Sequence, residues 1–193
     1  MFLTLFKSIH EKVILANEDL ELIKTFFIPK KLRKKQSLLQ EGDICKYNAF
    51  VEKGILRSYT VDEKGNEHTV QFAFKGWWIS DLSSFLTGSL STYNIEALED
   101  SELLLLTRSA REELMNKIPM FERYQRLLLQ NAYIALQARI ASSLNETAEE
   151  KYTKFVYACP DIINQLPQHI IASYLGLTPE TLSRIRKQIT IRK

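Results

Sequence analysis

Between residues 8 and 27 apolar side chains recur at Ile9, Val13, Ile14, Leu20, Leu22, Ile23, Phe26 and Phe27. That spacing predicts short amphipathic helices ended near Ile28-Pro29. The pattern then changes. Phe50-Val51, Ile55 to Val61, Val70 to Phe74, Tyr93 to Leu98 and Leu103 to Thr107 are short runs rich in β-branched, aromatic and leucine residues. The third alternates, with Val70, Phe72 and Phe74 on one face and Gln71 and Ala73 on the other. Turn-forming clusters such as Glu41-Gly42-Asp43, Lys53-Gly54, Gly65-Asn66, Lys75-Gly76 and Thr87-Gly88-Ser89 separate the runs. Short strands so punctuated predict an all-β sandwich or barrel over about residues 35–108.

From Ser109 the periodicity is helical. Ala110 to Lys117 forms a brief predicted helix closed by Ile118-Pro119, and residues 120–148 contain neither Gly nor Pro. At 1.5 Å per residue that second stretch makes roughly 40 Å of helix. Tyr124, Leu127, Asn131, Ile134, Ala138 and Ala141 follow the alternating three-four spacing of a two-stranded coiled-coil seam, with Asn131 as a polar, register-setting position. Leu128, Leu129 and Leu136 lie off that seam, so the helix is also expected to pack on its own domain. A module boundary is expected near Cys159-Pro160-Asp161.

The segment from Gln168 and His169 to Arg186 carries the most specific pattern, that of a helix-turn-helix. Ala172 is small where two helices cross. Gly176 stands where the chain leaves the first helix with positive φ, a conformation glycine adopts at least cost. Thr178 is placed to cap the second helix, and Pro179 at its first position gives up only an N–H that has no partner there. Ile171, Leu175, Leu177, Leu182 and Ile185 supply apolar contacts between the helices. Glu180, Thr181, Ser183, Arg184 and Lys187 are left for solvent or a ligand. An Arg bonds bidentately to guanine, a Glu accepts from cytosine, and hydroxyls and Lys serve phosphates.

Charge singles out the same segment. The chain carries a formal +3, yet residues 166–193 hold +4 (Arg184, Arg186, Lys187, Arg192 and Lys193 against Glu180), leaving −1 on residues 1–165. A positive excess confined to one end is the footprint of a polyanion-binding surface. A second basic run, Lys30 to Lys35, lacks aromatic interleaving and helical phasing and is expected to be a solvated entry to a strand. Two cysteines, Cys45 and Cys159, exclude zinc ribbons, iron–sulfur clusters with several Cys ligands and disulfide scaffolds. The longest wholly apolar run, Leu103 to Leu106, is far too short to span a bilayer, and no secretory signal is recognised, so a cytoplasmic location is expected.

Strand-rich domain, long helix and C-terminal helix-turn-helix, in that order, resemble the Crp/Fnr family of bacterial transcription regulators. Glu180-Thr181-Leu182-Ser183-Arg184 looks like that family's E-x-x-S-R recognition-helix motif, in which the Glu, Ser and Arg positions read bases. The resemblance implies an α+β chain. Residues 1–118 would form an antiparallel β-roll (a jelly roll of the cyclic nucleotide-binding kind) with N-terminal helices. Residues 119–150 would be the dimerisation helix, and 151–193 a winged-helix-like DNA-binding domain whose wing is truncated after Arg186. It further implies a homodimer on a palindromic duplex site, half-sites about one helical turn apart. An effector in the β-roll would bias the DNA-binding heads, and RNA polymerase is a further expected partner.

The effector cassette departs from the family pattern. Ser80, Asp81, Leu82, Ser91 and Thr92 are its candidate residues, with Ser80 in place of the family's Gly, Asp81 in place of Glu, and Ser91 where the phosphate-binding Arg belongs. No Lys or Arg occurs between Lys75 and Arg108. A buried phosphate needs a paired cation or a nest of backbone donors, so cyclic AMP is expected to bind weakly or not at all and no cofactor is assigned. Haem would need an axial His or Cys; of His10, His68 and His169, the last lies in the helix-turn-helix and His68 is expected at a solvated strand edge. Trp77 and Trp78 should point opposite ways, one to core and one to surface. Two other classes fit the sequence less well. A cupin-type metalloenzyme lacks a clustered His pair, so no enzyme activity is expected. A cyclic nucleotide-binding-like module acting on a protein partner is the alternative to DNA binding.

Overall fold

The computed structural model describes residues 1–160, 163 and 165–191. Helices α1 (Leu3–His10) and α2 (Asn17–Phe26) precede strands β1 (Ile28–Leu32), β2 (Ser37–Leu39), β3 (Tyr47–Lys53), β4 (Leu56–Val61), β5 (Glu67–Ala73) and β6 (Trp78–Ile79). Helix α3 (Leu82–Thr87) leads into β7 (Asn94–Ala97) and β8 (Ser101–Thr107). Helices α4 (Arg108–Lys117), α5 (Pro119–Asn145), α6 (Ala148–Ala158), α7 (Gln168–Leu175) and α8 (Pro179–Ile191) complete the described chain. The strands form two four-stranded sheets, β1-β8-β3-β6 and β2-β7-β4-β5. Contacts divide the chain into two compact units, Met1–Thr60 with Val70–Asn131, and Val61–Thr69 with Ala132–Lys193.

Strand β8 organises the first unit. Leu103 and Leu105 enter an apolar cluster contributed by both sheets, with Ala49, Val51, Leu56 and Ile95. Leu104 and Leu106 point the other way, into a second cluster with Phe50, Leu5, Ile9, Ile23, Leu114 and Phe121. A strand covered on both faces has no reason to alternate, which is why the run reads as four consecutive leucines. The alternation in β5 is present, but its aromatic side is not the inner one. Ala73 joins the core between the sheets, while Phe72 and Phe74 stack on each other outside it at 5.9 Å. Trp78 packs on the helix-side core and Trp77 is half exposed, as the two-sided placement predicts. The basic run from Lys30 is not merely an approach to a strand. Its first part is edge strand β1, paired with β8, where Lys31 lies 3.7 Å from Glu102.

Two buried polar contacts attach the helices to this sheet. Glu52, on the same face of β3 as Phe50, is 7% exposed and accepts from the backbone N–H of Leu5 (2.8 Å) and Thr4 (3.2 Å). A carboxylate thereby caps α1, where the helix dipole favours negative charge. The Tyr124 hydroxyl lies 2.9 Å from Ser8 Oγ and accepts from Trp78 Nε1 at 3.2 Å, joining the start of α5 to α1 and β6. Burial pushes the Tyr124 phenol above its ordinary value. This corrects the expected seam. Tyr124 is fully buried in its own unit and cannot face a partner helix, and Leu127 is half-buried against the same core.

Replacing Glu52 by Ala leaves two first-turn donors of α1 buried without an acceptor. A loss of about 2 kcal/mol is expected from removing a buried charge-assisted acceptor. Urea denaturation would measure it, with Glu52→Gln falling between wild type and Ala.

Candidate nucleic-acid interface

In the second unit, α7 and α8 form the predicted helix-turn-helix, and each special position of the turn does what its chemistry requires. Gly176 has φ +68°, and Leu177 N–H returns to the Ala172 carbonyl at 2.9 Å, closing the end of α7. Thr178 Oγ1 accepts from Thr181 N–H at 3.2 Å, capping α8 just before Pro179. Ile170, Ile171, Ala172, Leu182 and Ile185 are buried with Tyr152, Phe155, Ile163 and Leu166. Leu175 and Leu177, expected in the same contact, are only half-buried.

The candidate reading residues share one exposed side. Pro179, Glu180, Ser183, Arg184 and Lys187 form a strip along one side of α8. Thr178 is exposed and Thr181 half-buried beside it, and Gln168 and His169 are exposed at the start of α7. Gln188 also lines the strip. It follows Arg184 by four residues, so helical periodicity alone could have placed it there. Residues 187–191, which the truncated-wing expectation treated as a stub, continue α8. Arg192, Lys193 and Asp161 of the expected module boundary lie outside the described residues.

Contacts that no sequence pattern announced hold α7 from two sides. Thr69 N–H donates to Ser173 Oγ at 2.8 Å, and that hydroxyl donates to the Glu67 carbonyl at 2.8 Å. The Arg139 guanidinium lies over the Tyr174 ring (4.4 Å) and donates to the Tyr174 carbonyl at 3.4 Å. Tyr174 in turn packs on Phe155 at 5.5 Å between ring centroids. At the tip of the 61–69 segment Asp62 accepts from Asn66 and meets His68 Nε2 at 3.0 Å, contacts that hold its carboxyl well below the usual range, Asn66 first. His68 is exposed there, as expected of an edge histidine.

Helix α5 leaves its own core early. Every residue from Leu129 to Ala138 is exposed, including Asn131, Ile134 and Ala138 of the predicted seam, and Ala141 beyond them. Leu129, Tyr133, Leu136, Ile140 and Leu144 are exposed as well and follow one another at three- and four-residue steps.

In the first unit the candidate effector residues do converge, but on each other. Asp81, 4% exposed, accepts from Ser84 N–H (3.1 Å), Ser91 Oγ (2.8 Å) and Thr92 N–H (3.4 Å). Ser80 is half-buried, whereas Leu82 and Thr92 are exposed. The Ser91 hydroxyl, at the position of the expected arginine, already serves the Asp81 carboxylate. A cyclic phosphate would meet this carboxylate in a stretch that carries no Lys or Arg from residue 76 to 107. These residues do not fit that group.

Residues 29–118 match the cyclic nucleotide-binding domain family. Over 169 residues the chain is 28% identical to the fumarate and nitrate reduction regulatory protein of Vibrio cholerae, covering 81% of this chain and 66% of that protein. Regulatory protein HlyX of Actinobacillus pleuropneumoniae is also 28% identical, with 81% of this chain and 69% of the relative covered. The chain thus spans about two thirds of the length of these curated relatives. Among solved structures, FixK2 of Bradyrhizobium japonicum superimposes with a TM-score of 0.75 at 21% identity, covering 86% of this chain and 85% of its own. Two four-stranded sheets, a long helix and a C-terminal helix-turn-helix thus make up a fold that this chain shares with FixK2. In sequence, the chain is similar to the fumarate and nitrate reduction regulatory proteins over most of its length.

The turn between α5 and α6 should respond to acid. The Lys154 ammonium and Ser142 hydroxyl hold the Glu146 carboxyl below its ordinary value, and the Thr147 backbone N–H and hydroxyl do the same for Glu150. A depressed folded-state pKa means that the contribution is complete above the unfolded value, near 4.3, and is lost as pH falls through the lower folded one. The melting temperature of the Glu146→Gln, Glu150→Gln double variant should therefore lie below wild type at pH 7, the gap narrowing as pH falls below the unfolded carboxyl value.

Proposed function

We propose that this chain is a homodimeric, sequence-specific DNA-binding transcription regulator of the Crp/Fnr type that works without cyclic AMP. The observation carrying this reading is the strip along α8, where Glu180, Ser183, Arg184 and Lys187 share an exposed face behind a correctly capped turn. An arginine and an acid one helical turn apart suit base edges in a major groove, and Lys187 suits the flanking phosphate. The named relatives are regulators. The cytoplasm and contact with RNA polymerase are parts of the same reading.

Dimerisation through α5 is supported by its bare middle. A helix in water with Tyr133, Ile134, Leu136 and Ile140 all exposed leaves an apolar arc that a second copy of the same helix would cover. The arc takes in Ile134, Ala138 and Ala141 with Asn131 on one flank, and Leu129, Tyr133 and Leu136 on the other.

Selection from a pool of random duplexes should enrich a palindrome without added nucleotide. Arg184→Ala should abolish that enrichment, while Lys187→Ala should weaken all duplexes about equally and reduce the salt slope by about one per half-site. Enrichment unchanged by Arg184→Ala would overturn the assignment of α8. In sedimentation, Ile134→Glu with Ile140→Glu should yield monomers that lose palindrome preference; dimers that persist would reject this face of α5.

A further inference from the structure

A cavity of about 490 Å³ opens in the first unit beside the cassette rather than inside it. Leu38, Leu39, Ile44, Tyr47, Leu90 and Ile95 line it, and none of Ser80, Asp81, Leu82, Ser91 or Thr92 does. Its floor is the core between the sheets, to which Leu39, Cys45 and Ile95 belong. Its mouth is apolar as well. Ile44 and Leu90 face each other across an isolated antiparallel bridge and are 46% and 66% exposed. Among the described residues the charged side chains on its lining are Asp43 and Lys46, one of each sign, so the lining carries no net charge for an ionic headgroup.

We propose that this cavity is a binding site for a neutral, apolar small molecule, separate from the phosphate cassette. Such a molecule would rest on the buried core residues Leu39, Cys45 and Ile95 and would cover the two exposed rim side chains, the driving force of apolar binding. Charge argues for the same class. The neighbouring buried group is the Asp81 carboxylate, and Lys46 on the lining is offset by Asp43, so an anion finds no net positive charge here. The cavity wall is also bonded to the cassette. Ser91 N–H donates to the Asp43 carbonyl (2.8 Å), Gly42 N–H to the Ser91 carbonyl (2.8 Å), and Cys45 N–H to Ser84 Oγ (2.8 Å). An occupant that moves segment 42–47 therefore moves the partners of Asp81. The site stands whether or not the chain reads DNA, since binding is measured without it.

The test uses the full chain and the neutral fluorophore N-phenyl-1-naphthylamine. Saturable binding of one probe per chain is expected. It should weaken tenfold or more in Leu90→Lys and in Ile44→Lys, both at exposed rim positions, and stay unchanged in Ile14→Lys, which is exposed elsewhere in the unit. 1-Decanol should displace the probe and millimolar cyclic AMP should not. In a Cys159→Ser chain, where Cys45 is the sole thiol, bound probe should slow alkylation by N-ethylmaleimide at least fivefold. Binding that does not saturate, that ignores both rim variants, that cyclic AMP displaces, or that leaves Cys45 equally reactive would overturn the proposal.

Discussion

Four consecutive leucines on β8 face two cores at once, and the rest of the first unit is arranged around that constraint. Neighbouring side chains on a strand point to opposite sides, so Leu103 and Leu105 require a second sheet while Leu104 and Leu106 require a layer of helices. The helical layer comes from both ends of the sequence, α1 and α2 before the strands and α4 with the first turns of α5 after them. Glu52 and Tyr124 are the polar contacts that hold that layer in register, one at each end of α1. The position from which α5 departs is thus fixed by the β-domain's own packing.

Beyond its first turns α5 no longer serves that core. The unpartnered stretch from Leu129 to Ala138 passes into a second unit whose small helices are arranged by turn chemistry more than by mass of core. Gly176 and Thr178 set the angle between α7 and α8, and Ser173 and Tyr174 tie α7 to the 61–69 segment and to Arg139. Two consecutive residues of α7 therefore hold the reading head from different directions.

The sequence made the helix-turn-helix legible because its constraints are local: a positive φ, a cap and a proline within a few residues of one another. Strands β3, β4, β5, β7 and β8 were legible for the same reason. Strands β1, β2 and β6 were not, since each is short or carries Pro29 and lysines, and its pairing is decided by a distant partner. The seam containing Tyr124 failed in an instructive way. Periodicity identifies which residues share a helical face but not whether that face meets its own domain or another molecule. Asp81 and Ser91 stand out in the sequence as cassette candidates, yet only three dimensions reveal that they satisfy each other. Ser173 and Arg139 left no signal, because one hydroxyl or one guanidinium at a tertiary contact has no period and no motif.

The bare middle of α5 carries a consequence for how such a regulator would be governed. If pairing is what shelters those side chains, folded dimer forms in proportion to the square of the chain's concentration, and its stability is inseparable from its abundance. Doubling synthesis would then raise operator occupancy up to fourfold while sites remain scarce of protein. Expression level and turnover would become inputs in their own right, setting a threshold in copy number that no small molecule needs to announce.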